Sequence, residues 1–277
     1  MSEHIDVDVG DDLRLHVVSS GKGPALVLLH GFTGSAETWD FLRPVLDDRY
    51  RVVAVDLPGH GRSSSPSEPA RYSLDLFATD LALVFDSLEI GRAAVLGYSM
   101  GGRAALRFAI AHPGRISGLI VESTSSGISS DAEREERVTS DALLADLIER
   151  EGMEAFVSRW ERLPLWQSQQ ALPDAGRRSL REQRLSNNPR GLANSLRGAG
   201  AGAHEDVLGA AATITAPVLI IAGELDAKYV SLGRGLARAI PAAEVQIIPS
   251  SGHAAHLEQP QAFVRSVAAF LAKIHLA

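Results

Sequence analysis

Apolar positions along the chain fall into two arrangements. Short, mostly apolar runs at Ala25–Leu29, Arg51–Val55, Ala93–Leu96, Ile116–Val121, Val218–Ala222 and Val245–Ile248 predict strands covered on both faces. Between them, Trp39–Leu46, Ser73–Leu88, Arg103–Ala111 and Phe263–Leu271 carry helical spacing. Strict alternation is confined to His4–Val9 and Leu13–Val18, either side of Gly10-Asp11-Asp12, which reads as an antiparallel hairpin. Strands alternating with helices predict an α/β fold, a mostly parallel central sheet with helices on both faces. The rhythm stops near Glu122. Asp131–Arg150, Met153–Trp160, Asp174–Arg184 and Leu192–Arg197 read as helices, punctuated by Pro164, Pro173 and Pro189, and no strand pattern returns until Val218. The expected organisation is a core formed by 1–125 and 207–277, interrupted by a helical cap insertion at 126–206.

Composition narrows the function classes. The 277 residues suffice for one large core, with or without an inserted cap. A net charge of −7 argues against a nucleic-acid partner, which calls for a basic surplus. There is no cysteine, so neither disulfides nor thiolate metal ligation is available. The polar N-terminus Ser2-Glu3-His4-Ile5-Asp6 lacks the regions of a signal peptide, and no apolar run has the length of a membrane span. The expectation is a cytoplasmic protein with no membrane association. Neither H-E-x-x-H nor a phosphate-binding glycine loop is present, and no metal or cofactor is expected. Oligomeric state is not legible.

The candidate chemistry centres on Gly97-Tyr98-Ser99-Met100-Gly101, where the Ala93–Leu96 strand meets the Arg103–Ala111 helix. G-x-S-x-G in this context predicts a nucleophile elbow: a tight turn lifts the serine hydroxyl above the sheet edge, and the glycines allow strand and helix to approach closely. Asp226, after Val218–Ala222, and His253, after Val245–Ile248, also lie just past strand ends. Ligands bind at that edge of an open α/β sheet. Ser99, His253 and Asp226 thus form a candidate triad, with His253 as base and Asp226 orienting its ring. The backbone amides of Met100 and Phe32 are the candidate oxyanion donors. His256 competes with His253 but is read as structural. Asp56 and His60 are a second acid–histidine pair whose position before Ser99 fits this order poorly, and His30 is read as a loop brace.

His30-Gly31-Phe32, Asp56-Leu57-Pro58-Gly59-His60-Gly61, Gly97-Tyr98-Ser99-Met100-Gly101-Gly102, Gly223-Glu224-Leu225-Asp226 and Gly252-His253 together resemble the α/β-hydrolase superfamily over nearly the whole chain. Esterases, haloperoxidases, C–C bond hydrolases and lyases share that pattern, so it specifies a fold more than a substrate. Arg103, Glu122-Ser123, the segment Trp160–Trp166 and the segment Arg184–Leu192 further resemble the 2-succinyl-6-hydroxy-2,4-cyclohexadiene-1-carboxylate synthases of menaquinone biosynthesis. The resemblance implies a triad used for proton abstraction and pyruvate elimination. It also implies substrate contacts from Tyr98, Arg103, Arg137, Trp160 and Arg184. Trp166, where the family more usually has phenylalanine, and Gly198-Ala199-Gly200-Ala201-Gly202, in place of a methionine-containing glycine motif, depart from the pattern.

Residue chemistry points the same way, because guanidinium groups bind carboxylates bidentately and stay charged when partly desolvated. The expected partner is a small, carboxylate-bearing substrate. Two alternatives remain at this point: a carboxylesterase or C–C bond hydrolase with Ser99 as covalent nucleophile, and a non-catalytic ligand-binding protein.

Overall fold

A computed structural model describes residues 2–276; Met1 and Ala277, the ends of the expected core, lie outside them. Among the described residues, eight strands form one sheet in the order β1-β2-β4-β3-β5-β6-β7-β8. They are β1 (Glu3–Asp8), β2 (Arg14–Ser20), β3 (Ala25–Leu29), β4 (Arg51–Val55), β5 (Ala93–Tyr98), β6 (Ile116–Glu122), β7 (Val218–Gly223) and β8 (Ala243–Ile248). The β1–β2 and β2–β4 pairs are antiparallel, and every other pair is parallel.

The helices are α1 (Arg43–Leu46), α2 (Leu74–Ser87), α3 (Met100–Ala111), α4 (Asp131–Trp160), α5 (Asp174–Leu185), α6 (Pro189–Ala199), α7 (Leu208–Ala211), α8 (Ala227–Ala239), α9 (Ala255–Glu258) and α10 (Pro260–Leu276). None is long and apolar enough to cross a membrane, among the described residues.

The near-continuous apolar runs follow from burial on both faces. Along β3, Val27 and Leu29 enter one core layer with Phe77, Phe85 and Phe108. Leu26 and Leu28 enter the opposite layer with Trp39 and Phe263. The edge strands β1 and β8 instead alternate buried or half-buried with exposed positions. A third apolar cluster, including Ile148, Phe156, Trp160, Trp166 and Leu192, lies within the helical stretch between β6 and β7.

Three local expectations needed correction. Trp39–Leu46 is a 3₁₀ turn (Ala36–Leu42) followed by the single turn α1, because Pro44 has no N–H to continue a helix from the preceding turn. The 3₁₀ segment Pro164–Ala171 was not anticipated. Nor was α8, where glycines at 233 and 235 dilute the pattern and only Gly233 and Leu236 are fully buried. The break between Arg150 and Met153 is real: Gly152, at φ 81° and ψ 179°, interrupts α4.

Topology decides where a site can form. The chain leaves β3 for β4 on one side and β5 for β6 on the other, so the loops after β3 and β5 diverge from adjacent strand ends. This is the switch-point crevice in which open α/β sheets hold ligands. Register completes the placement, with Leu29 paired to Gly97 and Tyr98 to Glu122.

Candidate active site

Ser99 sits between β5 and α3 at φ 51° and ψ −107°, a strained conformation for a residue with a Cβ. The turn is held by backbone contacts on both sides. The Ser99 amide donates to the Glu122 carbonyl at 2.8 Å and its carbonyl accepts from the Arg103 amide at 3.1 Å. The Thr124 hydroxyl donates to that carbonyl at 2.8 Å. Glycine is required at two points. A Cβ on Gly97 would lie 2.2 Å from the Gly101 carbonyl oxygen, and one on Gly101 would lie 2.3 Å from the Leu29 carbonyl oxygen.

The candidate triad comes together across three strand ends. His253 Nε2 is 3.0 Å from Ser99 Oγ, and His253 Nδ1 is 2.8 Å from Asp226 Oδ2. The second oxygen of Asp226 accepts from the Tyr229 amide at 3.3 Å, capping α8. A carboxylate can only accept here, so Nδ1 carries the proton and Nε2 is left free to accept from the serine hydroxyl. His253 is 1% exposed. Tyr229 packs edge-on against its ring at 4.5 Å and Trp166 does so at 5.4 Å.

Ser99 and His253 wall a cavity together with Phe32, Tyr98, Met100, Arg103, Arg137, Trp160, Trp166 and Tyr229, among others. Seven of the site residues expected from the sequence therefore share one cavity with Ser99. The amides of Phe32 and Met100 donate to no acceptor among the described residues, as an oxyanion site requires. Several hydrogen-bonding groups of the walls are buried without a partner among the described residues: Arg103 Nη1, Trp160 Nε1, Trp166 Nε1 and Ser123 Oγ. Burial lowers the Arg103 pKa to about 10, against the opposing pull of Tyr229, so the group stays cationic at neutral pH. Burial and the nearby Glu122 carboxylate push the Tyr98 phenol well up, keeping it neutral.

Arg184 is placed elsewhere. It donates to Glu161 and to Gln169, each at 3.0 Å, and its guanidinium lies 5.4 Å from the centre of the Trp166 ring. Those partners hold it behind Trp166, and it does not wall the Ser99 cavity.

Three other histidines, His256, His30 and His16, are held by structural contacts. The His256 amide donates to Glu122 at 3.0 Å, its Nδ1 lies 2.8 Å from the same carboxylate, and both side chains are wholly buried. His30 accepts from the Leu57 amide through Nε2 at 3.0 Å. Asp56 engages His16 at 2.7 Å and accepts from the amides of Ala36 and Arg62, organising the loops on either side of it. No cluster of metal ligands exists among the described residues.

Tyr229 and Ser195 wall the cavity without having been picked out from the sequence, and Ser123, noted only within the Glu122-Ser123 resemblance, joins them. Tyr229 had a signal, one helical turn after Asp226. Ser195 had none, because nothing local separates it from other serines within helices.

Comparison with known proteins agrees with this architecture. A model of the α/β-hydrolase fold matches residues 24–260. A Bacillus subtilis protein described as a putative 2-succinyl-6-hydroxy-2,4-cyclohexadiene-1-carboxylate synthase is 42% identical, over 98% of this chain and 99% of its own. The structure of MenH from S. aureus is 34% identical with a TM-score of 0.89, covering 99% and 98% of the two chains. A thermophilic esterase from Thermogutta terrifontis, solved with malate bound, is 27% identical with a TM-score of 0.87, covering 99% of each. Matched over almost its full length, the chain belongs to the α/β-hydrolase family and, within it, to the group of 2-succinyl-6-hydroxy-2,4-cyclohexadiene-1-carboxylate synthases.

Proposed function

We propose that this protein is a lyase of menaquinone biosynthesis that eliminates pyruvate from a polycarboxylate cyclohexene precursor. The observation that carries the reading is one cavity in which Arg103 and Arg137 stand with Ser99, while a guanidinium nitrogen and two indole nitrogens of its walls lack partners among the described residues. An ester between apolar groups offers these donors little beyond its reacting carbonyl, whereas a carboxylate-bearing substrate gives them a charged acceptor away from Ser99.

In the proposed step, His253 accepts the Ser99 proton as Ser99 Oγ removes a proton from a substrate carbon. The freed electron pair forms a ring double bond, and the C–O bond to the enolpyruvyl group breaks, releasing the enolate of pyruvate. The His253 imidazolium gives its proton to that enolate, forming pyruvate and returning His253 and Ser99 to their starting protonation states. Asp226 holds the imidazole tautomer and stabilises the imidazolium. The amides of Phe32 and Met100 stabilise the oxyanion that develops on the leaving group. The helical insertion at 126–206 serves as a cap, contributing Arg137 and Trp160 and excluding water from the reacting carbon.

The free Phe32 and Met100 amides beside a strained serine also suit a second reading, hydrolysis through an acyl-serine. The two are separated by one comparison. Incubation with the pyruvate-bearing precursor is expected to release stoichiometric pyruvate, with no trapped adduct on Ser99. Absence of pyruvate, with rapid cleavage of short-chain nitrophenyl esters and an acyl-Ser99 mass shift, would overturn the lyase reading in favour of hydrolysis.

A further inference from the structure

Asp141 lies within the helical stretch, on α4, with its side chain 4% exposed. One carboxylate oxygen accepts from Arg137 Nε at 2.8 Å. The other, Oδ2, is buried with no hydrogen bond of ordinary geometry among the described residues, and the Ala201 backbone amide interacts weakly with the carboxylate. Above it stands Gly200, where a Cβ would lie 2.5 Å from Oδ2; the missing side chain at 200 thus makes room for this carboxylate. Burial raises the Asp141 pKa, and Arg137 and then Arg103 act against that rise. Both arginines wall the Ser99 cavity.

Helix stability does not account for the pair. Arg137 and Asp141 are spaced i, i+4 with the cation first, which is the less favourable order on a helix. A buried carboxylate beside a site that recruits anions is also costly on its own, since like charges repel a ligand. Arg103 and Arg137 contribute two positive charges, Asp141 removes one, and the neutral Tyr229 phenol adds none.

We propose that Asp141 is a specificity-determining positioning residue: it aims Arg137 and leaves the Arg103–Arg137 end of the cavity with a single net positive charge, matched to one carboxylate and set against a dianion. This rests on the cavity being an anion site, as the proposed function requires, but not on which reaction follows. A carboxylate brings this end to neutrality, whereas a phosphate dianion leaves one negative charge facing Asp141 in a poorly solvated place.

The test is calorimetric titration of the full chain with benzoate and with phenyl phosphate, at about pH 8, where a phosphate monoester is a dianion. The wild-type protein is expected to favour benzoate. Asp141→Asn, nearly isosteric, is expected to shift the affinity ratio toward phenyl phosphate by about tenfold or more, and Asp141→Glu to keep the wild-type ratio. Arg137→Met, which subtracts a charge instead, is expected to move the ratio the other way, and it serves should Asp141→Asn fail to fold. A purely structural role would lower both affinities together. An unchanged ratio in Asp141→Asn or in Arg137→Met overturns the role of Asp141 alone. Failure of the wild-type protein to bind either probe overturns the anion-site reading itself, and this inference with it.

Discussion

At the scale of single residues, the site depends on polar groups held in place before any substrate arrives. Asp226 accepts from both the His253 ring and the Tyr229 amide, so its orientation is fixed by two elements at once. This predicts that Asp226→Asn folds normally yet lowers kcat by about 10⁴-fold, since an amide favours the wrong imidazole tautomer. Ser99→Ala is expected to lower kcat by several orders of magnitude with little change in KM, because in the proposed step the serine acts mainly in the transition state. Steady-state pyruvate release by the purified variants checks both. A comparable fall in thermal stability would assign the effect to folding instead. Arg184 belongs to the same scale but to other work: bound to Glu161 and Gln169 and laid over Trp166, it supports the wall of the cavity from behind.

At the scale of elements, the elbow is a problem of close approach. The N-terminus of α3 crosses the end of β3 so tightly that Gly101 lies against the Leu29 and His30 carbonyls. Gly101→Ala is expected to cost about 1–3 kcal/mol of stability by overpacking against backbone that cannot turn aside, and to lower kcat by displacing the Met100 amide. Urea denaturation alongside kinetics measures the two effects. A variant as stable and as active as the parent would show that α3 can shift on β3. The insertion illustrates a different element-level rule. Gly152 breaks α4 with a positive φ, and the segment after it carries Phe156 and Trp160, which pack with Phe32 of the loop after β3. The insertion is thereby tied to the loop that carries a candidate oxyanion donor.

At the scale of the whole molecule, buried histidines couple stability to pH. Burial lowers the His60 pKa to about 3 and the His204 pKa to about 4, and lowers that of His30 as well. An unfolded chain protonates these rings near pH 6.5 while the native state does not, so stability is full above that pH and is lost on acidification. The expected slope is up to about 1.4 kcal/mol per pH unit for each such histidine between about pH 6.5 and about pH 4. Burial raises the Asp56 pKa, but His16 and the amides around it leave it below the ordinary carboxylate range, which extends the loss below about pH 4. His204→Gln, which preserves an acceptor for the Leu74 amide, is expected to flatten the upper part of this limb. Urea midpoints from about pH 7 to about pH 4 measure it; equal slopes in parent and variant would remove His204 from the account.

Periodicity and punctuation alone determined the α/β class, the helical interruption between Glu122 and Val218, and the strand ends that carry Ser99, Asp226 and His253. Those signals are local: an apolar run long enough to be covered twice, a glycine pair around a serine, an acid and a histidine just past two strands. What surrounds the triad was decided by tertiary structure. Arg103 and Arg184 look alike in the sequence, yet one keeps a buried nitrogen without a partner in a wall of the cavity, and the other finds Glu161 and Gln169. Tyr229 and Ser123 reach the same space from different strand ends. Asp141 is an ordinary helical acid until α6 and the Gly200 turn close over it. Which polar groups are left unsatisfied depends on every neighbour packed around them, and that count exists only once the chain is folded.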